Sequence, residues 1–495
     1  MEISKIHPKD NVAVAIRPLA AGERLTVAGQ DLAVRQAVPA GHKIALADIA
    51  AGDKVIKYGF PIGLAVAPIR AGEWVHTHNV KTGLGDMLEY SYSPEETGFK
   101  PAASRETFAG YRRADGRVGT RNEIWIIPTV GCVNQNARLI AEVAGRQLAA
   151  ANIDGVFALT HPYGCSQMGD DQLNTQHILA NLVRHPNAGG VLVLGLGCEN
   201  NNIKVFKEIL GPVDPARVKF LEAQAVDDEI AAGAALVAEL AAHAAKASRT
   251  ACPVSELVVG LKCGGSDGFS GITANPLLGI FSDRLIAAGG TTVLTEVPEM
   301  FGAETILMNR AKDEATFSKI VRLINDFKQY YTAHNQPVYE NPSPGNKDGG
   351  ITSLEDKSLG CTQKGGSLAP VVDVLANGEA VKEKGLNLVS GPGNDMIACT
   401  GLAAAGCQVI LFTTGRGTPF GTAVPTVKVA TNSDLFRRKA NWMDFDAGAL
   451  LRGTAMADLS EDFFAYVLAV ASGHPTKAED LGFREIALFK TGVIL

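Results

Sequence analysis

Three cysteines share the same local sequence pattern. Each directly follows a glycine, and an apolar run typical of a buried strand precedes that glycine. Cys132 follows the run 124–127, Cys165 follows 155–159, and Cys198 follows 191–194. From 132 to 165 and from 165 to 198 the step is 33 residues in each case, about one strand plus its crossover helix. Parallel strands linked in this way end at one edge of a sheet, where open α/β sheets bind ligands. The spacing therefore predicts a doubly wound, mostly parallel sheet whose three thiols face one crevice.

Size and composition indicate a globular protein with several domains. The chain has 495 residues, which favours two or three domains over a single core. Hydrophobic residues make up 46% of the chain and charged residues 20%, values typical of folded proteins. Because the net charge is -6 and no cluster of Lys and Arg is evident, we expect no binding to nucleic acid.

The amino terminus and the cysteine content bear on the cellular compartment. The opening residues MEISKIHPKD lack the apolar core of a signal peptide, and no apolar run approaches the ~20 residues that cross a bilayer. We therefore expect no membrane association and a cytoplasmic location. In that reducing compartment the eight cysteines should be free, catalytic or metal-bound rather than paired in disulfides.

The sequence pattern divides the chain into four parts. Residues 1–90 contain short apolar runs cut by AGER, PAGHK, AAGDK and RAGEW, which predicts a compact β domain. Residues 91–107 are polar and contain proline, as in a linker. Residues 108–250 and 251–495 alternate strand-like and helix-like runs, which predicts two α/β domains. Within the last part, the glycines and prolines of NPSPGNKDGG predict an irregular loop.

Two histidines near the end of the β domain are candidate metal ligands. His76 and His78 follow Trp74 in WVHTHN, and on a strand they would share one face because side chains alternate. Two adjacent imidazoles can hold a metal ion or relay a proton. A pair of surface histidines on a strand is the alternative interpretation. His42 could join them, although no spacing requires it.

Five cysteines in glycine-flanked segments are candidate ligands or nucleophiles: Cys132, Cys165, Cys198, Cys263 and Cys361. Thiolates are soft ligands for iron or zinc, and the start of a helix favours their negative charge. The alternative is that they fill small gaps beside strands, since cysteine is among the most buried residues. No CxxC motif occurs, so a zinc ribbon or ferredoxin-type cluster is not supported.

Two glycine-rich turns are candidate anion sites. Their backbone amides could cradle a carboxylate, with Arg416 and Lys428 supplying positive charge. The predicted substrate-binding residues are Gly264, Gly265, Ser266, Asp267, Arg416, Gly417, Thr418 and Lys428. Neither turn is a Walker or GxGxxG motif. A tight connection without a ligand is the alternative for the second turn.

Acid and base groups lie close to these turns in the sequence. His161, Asp170 and Lys357 are the candidate catalytic residues, although most polar residues in turns only cap helices or face water. Thiols, carboxylates, imidazoles and anion-binding turns together indicate a metal-assisted reaction on a small, oxygen-rich acid.

Ordered motifs along nearly the whole chain resemble those of the altronate and galactarate dehydratases. They include GHKIAL, VHTHN, TVGCVN, HPYGCSQ, GLGCENN, LKCGGSDGFSGITANP, TEVPEMFGAE, SLGCTQK and TGRGTPFG. The resemblance implies an amino-terminal SAF-type β-clip domain, a large α/β catalytic part, and an iron(II)-dependent lyase of hexuronate breakdown. The implied reaction converts D-altronate to 2-dehydro-3-deoxy-D-gluconate and water. Galactarate dehydration is the near alternative.

The resemblance also implies a ligand set and a mechanism. We assign Fe(2+) to His76 and His78, with the thiols of the crevice completing or flanking the site. The alternatives are Mn(2+), or an iron–sulfur cluster on Cys132, Cys198 and Cys361 with substrate on an open iron. His161 is the expected base at C2 of the substrate. We also expect a homo-oligomer. A noncatalytic sugar-acid-binding protein is the hypothesis from another functional class.

Overall fold

The computed structural model describes residues 2–27, 30–85 and 88–495. Met1, Ala28, Gly29, Asp86 and Met87, which fall within the predicted β domain 1–90, lie outside the described residues. The predicted α/β class is confirmed, because a β-rich amino-terminal part is followed by two parallel sheets flanked by helices. Within the described residues, no helix is both long enough and apolar enough to span a bilayer.

The amino-terminal part consists of short antiparallel strands in three small sheets. The strands are β1 (Ile3–Ser4), β2 (Val12–Ala15), β3 (Arg24–Val27), β4 (Gln30–Ala33), β5 (Lys43–Ala45), β6 (Lys54–Lys57), β7 (Phe60–Ala65), β8 (Trp74–Val75) and β9 (Val80–Lys81). The sheet orders are β1-β2-β5-β8, β3-β4 and β6-β7-β9. Buried Val12, Val55 and Val75 pack in the core between them. Strand β8 ends at Val75, so His76 and His78 lie in the following turn and not on a strand.

The middle part is built on a four-stranded parallel sheet of order β13-β12-β14-β15. Its elements are β10 (Thr107–Arg112), β11 (Val118–Gly119), β12 (Glu123–Pro128), α1 (Asn134–Gln147), β13 (Val156–Ala158), α2 (Asp170–Arg184), β14 (Ala188–Gly195), α3 (Ile203–Leu210), β15 (Val218–Glu222), α4 (Glu229–Ala244) and β16 (Thr250–Pro253). Strands β12 and β14 are buried on both faces, which explains their continuous apolar sequences. Strands β10, β11 and β16 form a separate antiparallel sheet.

The carboxy-terminal part contains a seven-stranded sheet. Its elements are β17 (Val258–Cys263), α5 (Ala274–Ala287), β18 (Thr291–Leu294), α6 (Glu304–Met308), α7 (Glu314–Ala333), α8 (Pro344–Asp348), α9 (Leu354–Cys361), β19 (Val371–Leu375), β20 (Leu386–Val389), α10 (Asp395–Ala404), β21 (Val409–Thr414), β22 (Thr426–Ala430), α11 (Ser433–Arg438), β23 (Phe445–Asp446), α12 (Met456–Ala471) and α13 (Lys477–Asp480). The sheet order is β19-β20-β18-β17-β21-β22-β23, with parallel pairing throughout.

Both parallel sheets have a topological switch point, where successive crossovers leave in opposite directions. In the middle part it lies between β12 and β14, and in the carboxy-terminal part between β17 and β21. Ligands of open α/β sheets bind in the crevice outside the carboxyl ends of the strands at such points. The fold therefore offers two candidate crevices.

The segment NPSPGNKDGG is more ordered than its composition predicts. Helix α8 begins there with Pro344 at its first position, where the missing N–H of proline costs nothing. A capping box between Ser343 and Asn346 stabilises its start. The prediction of an irregular loop was therefore wrong for these five residues, because capping outweighed the glycine and proline content.

Candidate functional site

Seven buried, chemically active side chains meet at the switch-point edge of the larger sheet. They come from the end of β17, the turn after β18, and α9 with the turn that follows it. We call this group the charged centre, and its members are Lys262, Cys263, Glu296, Glu299, Lys357, Cys361 and Lys364. Because these residues come from separate elements, only the folded sheet brings them together.

Two carboxylates and two thiols form the middle of the charged centre. Oε2 of Glu299 lies 3.2 Å from Sγ of Cys263 and 3.1 Å from Sγ of Cys361. The two sulfurs are 3.3 Å apart. Nζ of Lys364 lies 2.9 Å from both Sγ of Cys263 and Oε2 of Glu296. Each polar atom at this buried position therefore has a partner, as desolvation requires.

Lys357 connects the charged centre to the loop before α9. Its Nζ lies 2.9 Å from Oε1 of Glu299 and donates to the side-chain oxygens of Asn341 at 3.0 Å and Asn346 at 3.2 Å. Burial lowers the pKa of Lys357, but the carboxylate of Glu299 outweighs burial and the net pKa lies above the ordinary value. Lys357 therefore carries a positive charge at neutral pH.

Charge pairing also fixes the state of the acidic groups. Burial alone would raise the pKa of Glu299, but the ammonium groups of Lys357, Lys262 and Lys364 hold it well below its usual range. The hydrogen bond with Cys263, together with burial, raises the pKa of the Cys361 thiol. At neutral pH the centre thus holds ionised Glu299 beside a protonated Cys361.

Backbone geometry positions the second carboxylate. Glu296 has a φ of +68° directly after β18, a conformation that is uncommon for a residue other than glycine. Its carboxylate accepts hydrogen bonds from Lys262, Lys364 and the backbone N–H of Cys263. These three donors hold Glu296 in a conformation that would otherwise cost about 1–3 kcal/mol.

The amino-terminal β part docks against this region through a buried ion triad. Asp356 on α9 lies 2.8 Å from Nζ of Lys43 and 2.9 Å from Nζ of Lys57. Burial lowers the pKa of Lys43 to about 8. For Asp356, burial would raise the pKa, but the two lysines hold it well below its ordinary value. Because Asp356 precedes Lys357, the triad also fixes the helix that carries Lys357.

One imidazole of the β part faces α9 in a neutral state. Nδ1 of His76 lies 3.1 Å from Oγ1 of Thr352. Burial lowers the pKa of His76 to about 3, with Lys43 adding to the shift. His76 stacks on Trp74 with ring centroids 5.5 Å apart, and His78 contacts the same indole at 5.0 Å. The two histidines are thus linked through Trp74 rather than by strand periodicity.

His42 is not available as a third ligand in this arrangement. Nε1 of Trp74 donates to Nδ1 of His42 at 3.1 Å, so Nε2 carries the proton and donates to the backbone oxygen of Asp348 at 3.2 Å. Both nitrogens are therefore occupied.

One group of buried side chains has the donor atoms that a single metal ion needs. Among the described residues, the one group of three ligand atoms within 4.8 Å of one another is Cys263, Glu299 and Cys361. Two thiols and a carboxylate suit iron or zinc chemically. The ammonium groups of Lys364 and Lys357 already contact these atoms, and they would repel a divalent cation. In this arrangement the three ligand atoms do not fit a single metal ion, and neither His76 nor His78 belongs to the group.

The first glycine turn is bonded to its neighbours only in part, because the buried hydroxyl of Ser266 has no partner among the described residues. The backbone N–H groups of Gly264 and Gly268 donate to the protein, to Thr413 and Gly349. Asp267 is buried and accepts from Thr431, Asn432 and Ser270. A Cβ on Gly264 would come within 2.6 Å of the Asp395 carboxylate. Gly264 and Gly268 therefore allow close packing between chain segments, and the assignment of Gly265 and Ser266 to substrate binding stays a prediction.

The second glycine turn is likewise bonded to its neighbours. The amides of Gly415 and Arg416 donate to the oxygen of Gly265, and Gly417 donates to Thr414. Gly417 and Thr418 are half-buried, whereas Arg416 is exposed. Lys428 is fully buried and donates to the carbonyl of Phe420. Its ammonium is consequently turned into the protein and does not present charge to a ligand at the surface.

The other two predicted catalytic residues are poorly placed for proton transfer. His161 is 2% exposed. Its Nδ1 accepts from the backbone of Tyr163 at 3.2 Å, so Nε2 donates to the carbonyl of Pro128 at 2.8 Å. Burial lowers the pKa of His161 to about 4. Asp170 is exposed at the start of α2. The geometry gives His161 a turn-holding role because neither ring nitrogen is free.

The remaining predicted thiols lie at the edge of the smaller sheet. Cys132, Cys165 and Cys198 follow β12, β13 and β14, and all three are exposed. Cys361 lies elsewhere, as the last residue of α9 and not in a strand-end turn. The ligand set Cys132, Cys198 and Cys361 therefore combines two turns of the smaller sheet with the end of a helix in the carboxy-terminal part.

Sequence reasoning missed much of the charged centre. Lys262, Glu299 and Lys364 were not assigned roles, although each lies within a motif that carries the family resemblance, LKCGG, TEVPEM and SLGCTQK. A lysine within an apolar strand, as in VVGLKC, was the available signal, since lysine is almost never fully buried unless paired.

Models of a single protein family match the chain in three consecutive segments. Residues 1–83 match the altronate/galactarate dehydratase SAF domain. Residues 110–245 match the second domain of D-galactarate dehydratase/altronate hydrolase, and residues 254–494 match the D-galactarate/altronate dehydratase C-terminal domain.

Two altronate dehydratases are similar to the chain over almost its whole length. An altronate dehydratase of Bacillus subtilis is 58% identical over 99% of both chains, and that of Escherichia coli is 56% identical over 100% of both. A galactarate dehydratase (L-threo-forming) of Escherichia coli is 36% identical over 95% of this chain and 92% of its own. In Chromohalobacter salexigens, the β and α subunits of a (2R)-sulfolactate sulfo-lyase match 77% and 16% of this chain, at 32% and 44% identity.

Proposed function

The chain belongs to the altronate and galactarate dehydratase family, and from this we propose that it is a carbon–oxygen hydro-lyase acting on D-altronate. The product would be 2-dehydro-3-deoxy-D-gluconate, with release of water. Identity of 56–58% over the full length to two altronate dehydratases, against 36% to a galactarate dehydratase, supports altronate as the substrate. The expected cytoplasmic location and homo-oligomeric state remain predictions.

The reaction makes two chemical demands on the site. A hydrogen at C2, next to a carboxylate, is a poor acid, so its removal requires stabilisation of the developing enediolate. The hydroxyl group on C3 is a poor leaving group, so it must be protonated and leave as water. The site must therefore provide a fixed cation and a group that accepts and returns one proton.

The observation that carries this proposal is the buried ammonium of Lys357, which contacts Glu299 and two side-chain amide oxygens. Lys357 is the most exposed member of the centre at 8%, and it is positively charged because Glu299 raises its pKa. A substrate carboxylate can replace the amide oxygens of Asn341 and Asn346 as acceptors for its ammonium. Lys357 would then stabilise the enediolate.

His76 replaces His161 as the proposed base. It is neutral because its pKa is low, and a neighbouring substrate carboxylate raises the pKa of an imidazole. His76 takes the proton from C2 and returns it to the C3 hydroxyl as the C3–O bond breaks, which yields water and an enol. The enol proton on O2 then moves to C3 and gives the 2-keto acid.

The metal requirement stays a proposal. The resemblance favours Fe(2+), with Mn(2+) or an iron–sulfur cluster as alternatives. No step described above passes through a metal, because ammonium groups already neutralise the Cys263, Glu299 and Cys361 set.

The test is anaerobic incubation of the protein with altronate or galactarate, ferrous iron and a reductant, followed by measurement of 2-keto-3-deoxy acid. We expect product from altronate and at least about tenfold less from galactarate, a difference of about 1.4 kcal/mol in transition-state binding. Preference for galactarate would reassign the substrate. Saturable binding of altronate without any product would support the noncatalytic alternative and overturn the enzyme assignment.

A further inference from the structure

The exposed thiols of the middle part take no part in the proposed dehydration steps. Of the eight free cysteines, Cys132, Cys165 and Cys198 are the three that are exposed, whereas the other five are buried. They follow three neighbouring strands of one parallel sheet, β12, β13 and β14. The switch point of that sheet lies between β12 and β14, where Cys132 and Cys198 emerge. This is the position at which open α/β sheets bind ligands.

Direct hydrogen bonds hold the three turns together. The amide of Gly131 donates to the oxygen of Tyr163 at 2.9 Å, and the amide of Asn201 donates to the oxygen of Gly164 at 3.0 Å. A Cβ on Gly164 would lie 1.9 Å from the oxygen of Thr129, so glycine is needed for this contact. The thiols are therefore carried by one packed unit and not by independent loops.

Helix amino termini and one amide donor lie close to the thiols. A helix begins at most five residues after each thiol: α1 follows Cys132, α2 follows Cys165 and α3 follows Cys198. The amino-terminal ends of helices carry partial positive charge. In addition, Nε2 of Gln224 lies 3.6 Å from Sγ of Cys198, and an amide donor of this kind stabilises a sulfur ligand.

A buried donor without an acceptor lies in the same unit. Gln167, two residues after Cys165, is only 3% exposed. Its Oε1 accepts from Gly164 and Thr175, while its Nε2 has no partner in the described part of the chain. An unmade hydrogen bond at a buried amide costs about 1–3 kcal/mol. A bound group with acceptor atoms would remove that cost.

The spacing of the sulfurs selects the kind of ligand. Thiolates on one tetrahedral ion with metal–sulfur distances near 2.3 Å are about 3.8 Å apart. Among the described residues, Cys263, Glu299 and Cys361 form the one group whose ligand atoms all lie within 4.8 Å of one another. The sulfurs of Cys132, Cys165 and Cys198 are therefore more widely spaced than this. In a polynuclear cluster each thiolate binds a different iron, so wider spacing is accommodated.

We propose that Cys132, Cys165 and Cys198 bind an iron–sulfur cluster at the switch point of the smaller sheet. Its fourth iron has no cysteine ligand from this set and is open to an exogenous oxygen ligand. This assignment replaces Cys361 by Cys165 in the cluster predicted from the sequence. It does not depend on which sugar acid the protein dehydrates.

The test is anaerobic reconstitution of the full chain with iron, sulfide and dithiothreitol, followed by desalting. Iron, acid-labile sulfide and the electron paramagnetic resonance spectrum of the reduced protein are then measured. We expect about four iron and four sulfide per chain, as in a [4Fe–4S] cluster. The triple variant Cys132→Ser, Cys165→Ser, Cys198→Ser should retain less than about a tenth of the sulfide, because three-point ligation is lost.

Two further variants keep the test decisive. Cys252→Ala removes a buried cysteine outside the unit and should bind as much sulfide as the unchanged chain. Cys361→Ser should also retain its sulfide, and loss there would favour the ligand set that includes Cys361. Iron bound without sulfide, or equal sulfide in the triple variant, would overturn the proposal. A reconstituted cluster in protein that does not dehydrate altronate would instead contradict the proposed function alone.

Discussion

At the scale of single residues, burial and partners decide what an ionisable side chain can do. His161 and Lys357 are both almost enclosed, but they differ in what they contact. Both nitrogens of His161 are bonded to the backbone. Lys357 has carboxylate and amide oxygens as partners, and a ligand with better acceptors can replace the amides. We therefore expect the two residues to affect stability and turnover differently.

Replacing Lys357 should impair chemistry. In Lys357→Met the fixed cation is lost, and we expect kcat to fall by about 10²–10³-fold, the usual effect of removing one donor to a developing oxyanion. Lys357→Arg should recover part of the rate. The matched control is Lys382→Met, which removes an exposed lysine paired with Glu379 and should leave kcat unchanged. A Lys357→Met enzyme with full kcat would remove this residue from the mechanism.

Replacing His161 should affect stability instead. His161→Phe keeps the approximate ring size but loses the bonds to Pro128 and Tyr163, and the unfolding free energy should fall by about 1–3 kcal/mol because buried groups are left unpaired. The rate of C2 hydrogen exchange in altronate, measured per folded molecule, should stay within about twofold of the unchanged protein. Complete loss of exchange in a well-folded variant would restore His161 as the base.

At the scale of elements, helix α9 joins the β part to the charged centre. All eight of its residues are buried, so each of its charges requires a partner. Glu355 accepts from Thr82 and Gly83 of the β part, and Asp356 binds Lys43 and Lys57. Two other residues of the same helix, Lys357 and Cys361, belong to the charged centre. Docking of the β part should therefore control the position of Lys357.

The ion triad on α9 predicts a specific pH dependence. The pKa of Lys43 is about 8 in the folded protein and about 10.4 in an unfolded chain. Between these values the unfolded state binds more protons, so the Lys43 contribution to stability rises with pH. Relative to Lys43→Met, the unchanged protein should gain up to about 3 kcal/mol from pH 8 to 10.5. Thermal unfolding of both proteins across this range provides the measurement, and a constant difference would contradict the prediction.

At the scale of the whole molecule, the β part is attached through side chains and not only through the connecting chain. Residues 91–107 contain no regular element before β10, yet Tyr92 and Thr97 donate to backbone oxygens of the carboxy-terminal part. Matching sulfo-lyase segments occur as separate α and β subunits in Chromohalobacter salexigens. In this chain the buried triad and the contact of His76 with Thr352 join the β part to the carboxy-terminal part.

Splitting the chain should therefore preserve assembly. We expect residues 1–85 and 88–495, produced together, to co-purify and to dehydrate altronate at a rate within about tenfold of the intact chain, because the buried contacts remain. Asp356→Ala in the larger piece should abolish co-purification, since it leaves two buried lysines without their carboxylate and costs about 3–5 kcal/mol. Stable pairing in this variant would show that the triad does not carry the interface.

The sequence alone determined the features that arise from local periodicity and from repeated units. Apolar runs predicted the buried strands β12, β14 and β17, and the strong helical pattern of 314–334 predicted α7 closely. Equal 33-residue steps placed Cys132, Cys165 and Cys198 at the ends of neighbouring strands. One parallel βα unit has a nearly fixed length, so spacing along the chain translates directly into position along a sheet edge.

Only the tertiary structure decided which polar groups share a site and which are free to react. Glu299 meets Cys263 and Cys361 across 36 and 62 residues of sequence, and no local pattern encodes those contacts. The tertiary structure also pairs both nitrogens of His161 with backbone groups and turns the ammonium of Lys428 into the protein. The reason is that desolvation and charge pairing depend on neighbours in space, whereas a motif specifies only neighbours along the chain.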